Sequence, residues 1–417
     1  MSRAAKPAKT RRAYDVVLFG ATGFVGRQTA AYFAERAGGL RWALAGRSGA
    51  KLGQLRTACG PGAAEAGIVV ADAADPQALQ ALAAQTAVVL STAGPFALHG
   101  SALVAACVAE RTHYVDITGE TPWVRSLIDR HHAQAERDGT RIIPCCGFDS
   151  VPSDLGAWLV VQAIQRQFGE PCVSVKACHS IRGGINGGTL ASVFNIMDSG
   201  QAKLLADPFL LNPESRPRRS AVGHADPAGP HHDADFGAWV GPFVMGPINT
   251  RVVRRSAALL GTRGDAGYAD DFAYQEYLRV GRGPLAAGAA AGLSLGMGVG
   301  SFAMSIKPWR ALARMLVPAP GKGPSQSAMD GGSFRCELVG KSASGKLLRG
   351  LVAGQGDPGN RATTRFVCEA ALALASQLEA LPGGLRTGGV LTPASGLGGV
   401  LVQRLLAIGM TLEPALA

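Results

Sequence analysis

The chain has 417 residues, 47% of them apolar and 17% charged, with a formal net charge of +11. That composition excludes bulk disorder, and the length exceeds one ordinary core, so two domains are expected. Part of the positive excess is local, in "MSRAAKPAKTRRAY" and in "RPRR" at 216–219; neither cluster interleaves aromatics, which argues against nucleic acid and for a solvated tail and loop.

Residues 1–12 are expected to form a disordered basic tail without a secretory apolar core. The eight cysteines show no CxxC spacing, which fits reduced thiols in the cytoplasm. Tyr14 to Phe19 then reads as a strand ending in "GATGFVG", and Phe24, Val25, Thr29 and Phe33 continue at helical spacing. Gly20, Thr22, Gly23, Phe24, Val25 and Gly26 therefore fall at a strand-to-helix turn. There the glycines admit a tight turn and the helix N-terminus offers N–H groups to a pyrophosphate.

The second strand, "LRWALAGRS", ends at Arg47 and Ser48, with Lys51 one turn later. An NAD site usually places an acid there, whereas an arginine fork suits a 2′-phosphate, so the cofactor is expected to be NADP(H). Strands and helices continue to alternate, with further strands near Asp72, Thr92, Asp116 and Pro144. This predicts an α/β fold with a Rossmann-type, doubly wound parallel sheet whose ligands lie beyond the carboxyl ends of the strands. Asp72, Thr92, Gly94 and Pro95 complete the expected cofactor set. Phe96, Asp116, Glu120 and Ser150 are candidates for the substrate. His99 and Asp149 are the expected proton donors, His99 because imidazole titrates near neutrality and Asp149 if burial keeps it protonated. Each has a plainer role open to it: His99 as a helix cap, Asp149 as a brace of the "GFDSVPSD" turn.

The second half mixes strands and helices, as an α+β domain does. "PCVSVKACHSI" has strand character, and "SFRCELVGKSASGKLLRGLVAGQ" reads as a hairpin. "GGINGGTLASVFNIMDSG" reads as a turn entering a helix, with Thr189 either a simple cap or part of a substrate site. "HHDADF" at 231–236 contains typical metal ligands but has no matching pair elsewhere, so it is read as a polar loop and no metal is expected. Leu285 to Ile306 contains no charge and repeats Gly288, Gly292, Gly296 and Gly300. Three readings stay open for it: a membrane span, a lipid-touching surface, and, favoured, a closely packed buried helix or hairpin.

Several motifs together carry a resemblance: "GATGFVG", "AGRS", "STAGPFALHG", "YVDITGE", "GFDSVPSDLG", "GGTLASVF", "PFVMGPINTRVVRRSAAL", "PGKGPS" and "GGVLTPASGLG". The chain resembles the saccharopine dehydrogenase-like oxidoreductases, nearest the branch that holds the mycobacterial trans-acting enoyl reductases. The resemblance implies an NADP-binding Rossmann domain at 13–150 and an α+β domain at 151–380. It also implies a C-terminal segment, 381–417, that packs back on the first domain. In the enoyl reductase branch it implies a lipid-linked acyl substrate. A saccharopine-type amino-acid dehydrogenase is the alternative, since such a substrate needs a basic cleft and Arg251, Arg254 and Arg255 are available. A non-catalytic NADP-binding scaffold at a lipid surface, peripheral contact with the inner face of the plasma membrane, and a homodimer also remain open.

Overall fold

The computed structural model describes residues 12–184, 187–213, 224–264, 267–316 and 321–415. The "RPRR" cluster and the tail up to residue 11 lie outside these described residues. Arg12 belongs to the folded part: its guanidinium donates to the carbonyl oxygens of Ala83 (3.1 Å) and Thr86 and to the Thr112 hydroxyl.

The first half runs β1 (Tyr14–Phe19), α1 (Phe24–Arg36), β2 (Trp42–Gly46), α2 (Gly49–Ala58), β3 (Gly67–Val70) and α3 (Pro76–Ala84). It continues through β4 (Thr86–Ser91), α4 (Phe96–His99), α5 (Ser101–Ala109), β5 (His113–Asp116), α6 (Thr121–Asp138) and β6 (Arg141–Ile143). The second half contains α7 (Val151–Phe168), β7 (Cys172–Arg182), α8 (Gly187–Asp198), β8 (His231–Asp233), β9 (Ala238–Pro242), α9 (Gly246–Thr262) and β10 (Tyr268–Gly281). Then come α10 (Pro284–Ser305), α11 (Lys307–Leu316), α12 (Gln326–Asp330), β11 (Ser333–Ser342) and β12 (Leu347–Gln355). The chain ends with α13 (Thr363–Ser376), β13 (Gly389–Val390), α14 (Pro393–Gly396), α15 (Gly398–Ala407) and β14 (Thr411–Ala415).

The first sheet has seven parallel strands in the order β13-β6-β5-β4-β1-β2-β3. The chain reverses direction between β1 and β4, which opens a crevice beyond their carboxyl ends. Near-continuous apolar runs such as "VVLF" and "VVL" suit these strands because helices cover both faces. The second sheet is mixed, in the order β14-β12-β11-β7-β10-β9-β8. Only β7 and β10 pair in parallel there, and β11 and β12 form the hairpin expected from the alternation. One apolar core runs from Val16 and Leu18 through Phe366 on α13 to Leu338 on β11, so the two sheets share an interior.

The return to the first sheet begins before residue 381: α13 packs against β1, β4, β5 and α1. β13 then supplies the seventh strand, while β14 goes back to pair with β12. The run at 231–236 opens as the short edge strand β8, His231–Asp233, and turns at 234–236, and Lys176 pairs with both Asp233 and Asp235.

The favoured reading of 285–306 as a buried element does not hold. It forms the single helix α10, of which only Ala286 and Ala290 are buried. A Cβ placed on Gly288, Gly292, Gly296 or Gly300 would meet nothing within 4 Å, so the glycine ladder packs against no part of the described chain.

Candidate active site at the carboxyl edge of the first sheet

The glycine turn is built by close approach. Gly20 has φ +81°, a left-handed conformation that suits glycine, and a Cβ there would lie 2.9 Å from Ala93 N. A Cβ on Gly26 would lie 2.2 Å from Gly20 O, so α1 starts directly against the turn. Thr92, on the neighbouring strand end, donates its hydroxyl to Gly20 O at 3.2 Å and its N–H to Phe19 O at 2.9 Å. Gly23 caps α1 without any side-chain bond, so the N–H groups of Phe24, Val25 and Gly26 face outward from a positive helix end. This is the cradle a pyrophosphate requires. The loop of "PGKGPS" lies beside it, with Gly323 so close that a Cβ would touch the Phe24 ring at 2.5 Å.

At the end of β2, Arg47 is exposed and makes no ion pair among the described residues. Ser48 caps α2 by accepting the N–H of Lys51 at 3.4 Å. Asp72, beyond β3, is exposed, and its carboxylate accepts Ala74 N–H at 3.0 Å within its own turn. The residues present therefore fit a dinucleotide with a 2′-phosphate: an open helix end for the pyrophosphate and an uncommitted guanidinium for the extra charge.

Glu120 holds the loop after β4. Its buried carboxylate accepts the N–H groups of Phe96 (2.7 Å) and Ala97 (3.0 Å) and the hydroxyl of Ser192 on α8 (2.7 Å). The group expected at the substrate is thus spent on shaping the Gly94–Phe96 loop, which contains a cis Gly94–Pro95 bond. Phe96 is itself buried and packs against Trp123 at 5.7 Å. His99 ends α4 on an exposed surface; among the described residues its side chain makes no hydrogen bond, and α5 begins without a side-chain cap. Thr189 falls inside the first turn of α8 rather than ahead of it, and its side chain lies outside the described residues.

Two carboxyl groups follow β5 and β6. Asp116 is fully buried; its Oδ1 accepts the N–H groups of Thr118 (3.0 Å) and Cys145 (3.1 Å), while Oδ2 has no partner at hydrogen-bond distance among the described residues. Burial drives its pKa up to about 7 in spite of those bonds. Asp149 is half-buried and its carboxylate makes no hydrogen bond among the described residues. It does not brace its turn, which closes through Ser150 N–H and Val151 N–H to Gly147 O. Its Oδ2 faces Gly119 of the β5 loop, 3.6 Å from where a Cβ would stand. Burial, reinforced by the negative charge of Glu276, pushes its pKa up to about 7.

Glu276 opens a second layer that the sequence reading missed. Ser150 Oγ donates to Asn249 Oδ1 (3.3 Å), and Asn249 Nδ2 donates to Glu276 Oε1 (2.7 Å). Ser153 (2.8 Å) and Tyr274 (3.0 Å) donate to Glu276 Oε2. His179 Nε2 lies 3.5 Å from the same oxygen, and its ring stacks on Phe243 at 4.3 Å. Burial works against the charged imidazole, but Cys336 and Glu276 carry its pKa up to about 10. A signal was present: in "FAYQEYL" the alternation puts Glu276 on the face of Phe272 and Tyr274, a charge where the pattern demands an apolar residue.

Arg251, Arg254 and Arg255 do not line a cleft. All are buried on α9. Arg251 pairs with Asp226 (2.5 Å), and Arg254 donates to the carbonyls of Pro208, His224 and Tyr274. Arg255 donates to the carbonyls of Leu211 and Val390, tying the second half to the seventh strand.

Residues 16–143 match the family model described as the saccharopine dehydrogenase NADP binding domain. A Mycobacterium tuberculosis protein with the provisional name trans-acting enoyl reductase is 39% identical, covering 97% of this chain and 98% of its own. A trans-acting enoyl reductase of Mycobacterium ulcerans is 36% identical, covering 97% of this chain and 99% of its own. The chain belongs to the trans-acting enoyl reductase family. Among solved structures it is similar to the saccharopine dehydrogenase (L-Glu forming) of Saccharomyces cerevisiae, with TM-score 0.49 and 14% identity, over 95% of this chain and 98% of that one. As a member of this enoyl reductase family the protein is an NADP-dependent oxidoreductase, and NADP(H) is its cofactor.

Proposed function

We propose that the protein reduces the carbon–carbon double bond of an α,β-unsaturated acyl substrate carried on a lipid or thioester. The names of its relatives support the reaction class. The observation that carries the proposal is Asp149: a half-buried carboxyl group without a hydrogen-bond partner among the described residues, raised to about 7, beyond the carboxyl end of β6. Bound NADPH would supply the hydride for the β carbon and would be oxidised to NADP⁺. Asp149 delivers the proton to the α carbon and is reprotonated from solvent. The helix end at Gly23–Gly26 holds the pyrophosphate and Arg47 the 2′-phosphate. Glu120 and Ser192 hold the loop that shapes the substrate side. Ser150, Asn249 and Glu276 keep a fixed negative charge behind Asp149, which favours its protonated form.

The amino-acid dehydrogenase alternative loses its motivating observation, because the three arginines of α9 are committed to Asp226 and to backbone carbonyls. The test is NADPH oxidation with a short 2-enoyl thioester across pH, for the wild type and Asp149→Asn. The reading expects a rate that falls as pH rises through about 7; in the variant it expects a slow rate with that inflection gone. Tight NADPH binding without oxidation by any acyl substrate would point instead to a binding scaffold.

A further inference from the structure

The apolar helix α10 raises a question the reductase site does not answer. Leu285, Gly288, Gly292, Leu295, Val299 and Phe302 recur every three or four residues, which sets them on one stripe. That stripe is open to solvent, with Leu295 69% and Phe302 70% exposed. The opposite face, Ala286, Ala290 and Leu293, rests on β9, where Leu293 lies 3.1 Å from a Cβ placed on Gly241. α11 extends the apolar surface with Trp309, Leu312 and Met315, the last 82% exposed. Its orientation has a cause: Arg310 and Arg314 both pair with Asp198 at the end of α8, so the basic face of α11 is held inward and the apolar face outward. A continuous apolar surface on two successive helices exceeds what single exposed side chains require in a soluble fold.

α10 is the one helix among the described residues long and apolar enough to cross a membrane by length and composition. It does not cross one here, because its inner face lies on β9 and the strands on either side of it, β10 and β11, both pair with β7. We propose that the successive helices α10 and α11 lie in the interface of an anionic phospholipid bilayer and dock the protein there. Charge selects this occupant. No acidic residue occurs between Glu276 and Asp330; of the cations in that stretch, Arg279 pairs with Glu337 and Arg310 and Arg314 with Asp198, which leaves Arg282, Lys307 and Lys322 for an outside anion. Arg282 and Lys307 are exposed at the two ends of α10 and have no hydrogen-bond or ion-pair partner among the described residues. An interfacial helix sinks its apolar face at the headgroup boundary and keeps cations at the phosphates. A two-fold pair of chains through α10 would instead set basic ends against basic ends. α8 joins this surface to the active site, since Asp198 holds α11 and Ser192, roughly 9 Å back along the helix, holds Glu120.

Flotation of the full-length protein with phosphatidylcholine vesicles, with and without phosphatidylglycerol, tests the proposal. The wild type is expected to float with the anionic vesicles. Arg282→Ala and Lys307→Ala should each weaken that binding about fivefold. A Leu295→Gln, Val299→Gln, Phe302→Gln triple variant should lose it while keeping its melting temperature and NADPH affinity, because these side chains are exposed and apart from the cofactor site. Trp309 should shift to the blue on vesicle addition, a change that Trp309→Phe removes. Absence of flotation, or equal flotation by the triple variant, overturns the proposal. So does a dimer in sedimentation that the triple variant dissolves without any vesicle binding.

Discussion

The helices α9 and α10 flank the same strand, β10, and invert the usual rule of polarity. α9 carries Arg251, Arg254 and Arg255 and is buried along most of its length; α10 carries no charge and is buried only at Ala286 and Ala290. The difference shows that partners, and not hydropathy, decide which helix is covered. Each arginine of α9 meets carbonyl oxygens or Asp226 at hydrogen-bond distance, so among the described residues burial leaves only the Nε of Arg254 and of Arg255 without a partner. α10 meets β9 on one side and nothing of its own chain on the other. α9 also feeds the chemistry, since Asn249 in its first turns connects Ser150 to Glu276.

The largest expected effect lies on this buried polar side. Asp149→Asn should lower the turnover rate by roughly 10²–10⁴, the usual value of a positioned acid. The sign of the pH dependence follows from the raised pKa. Asp149 is protonated below about 7 and competent there, so wild-type turnover falls as pH rises through that value. A flat profile in the wild type would remove Asp149 from the reaction.

Next, Arg255→Leu should destabilise the fold by roughly 3 kcal/mol, because it strands the buried carbonyls of Leu211 and Val390. Denaturant unfolding measures this, and a loss under about 0.5 kcal/mol would mean that these bonds contribute little. Arg47 provides the contrast within one residue type: exposed and uncommitted, it should matter for the ligand and not for the fold. Arg47→Asp should weaken NADPH binding by about 10- to 100-fold, the value of one or two charge-assisted bonds, with NADH binding less affected and the melting temperature unchanged. Fluorescence titration of both cofactors checks it. The smallest effect is Leu295→Gln, within about 0.5 kcal/mol in lipid-free buffer. A clear loss of stability there would mean that the exposed stripe of α10 is covered in solution.

The first sheet was legible because its signals are local. A strand, a glycine turn and a helix follow one another in "YDVVLFGATGFVGRQTA", and strands and helices go on alternating through β6. β13 was not legible: two residues carry no periodicity, and only the edge of β6 makes them a strand. α13 is buried on nearly every side, because the first sheet and α15 enclose it. Glu120 was found as a residue at the right edge, but its role was not, since the N–H groups it accepts come from a loop some 24 residues earlier. The His179–Glu276 pair needed the register of β7 against β10, which no single-strand pattern supplies. For α10, hydropathy suggested burial, a span or lipid contact, and only its place outside β9 shows that it is not buried.

The most direct test of the reductase reading is isotopic. A 2-enoyl thioester is incubated with NADPH in D₂O, and the saturated product is analysed by mass spectrometry and NMR. The reading predicts one solvent deuterium at the α carbon, none at the β carbon, and a marked slowing in Asp149→Asn. Solvent deuterium at the β carbon, or an Asp149→Asn variant as fast as the wild type, would contradict it.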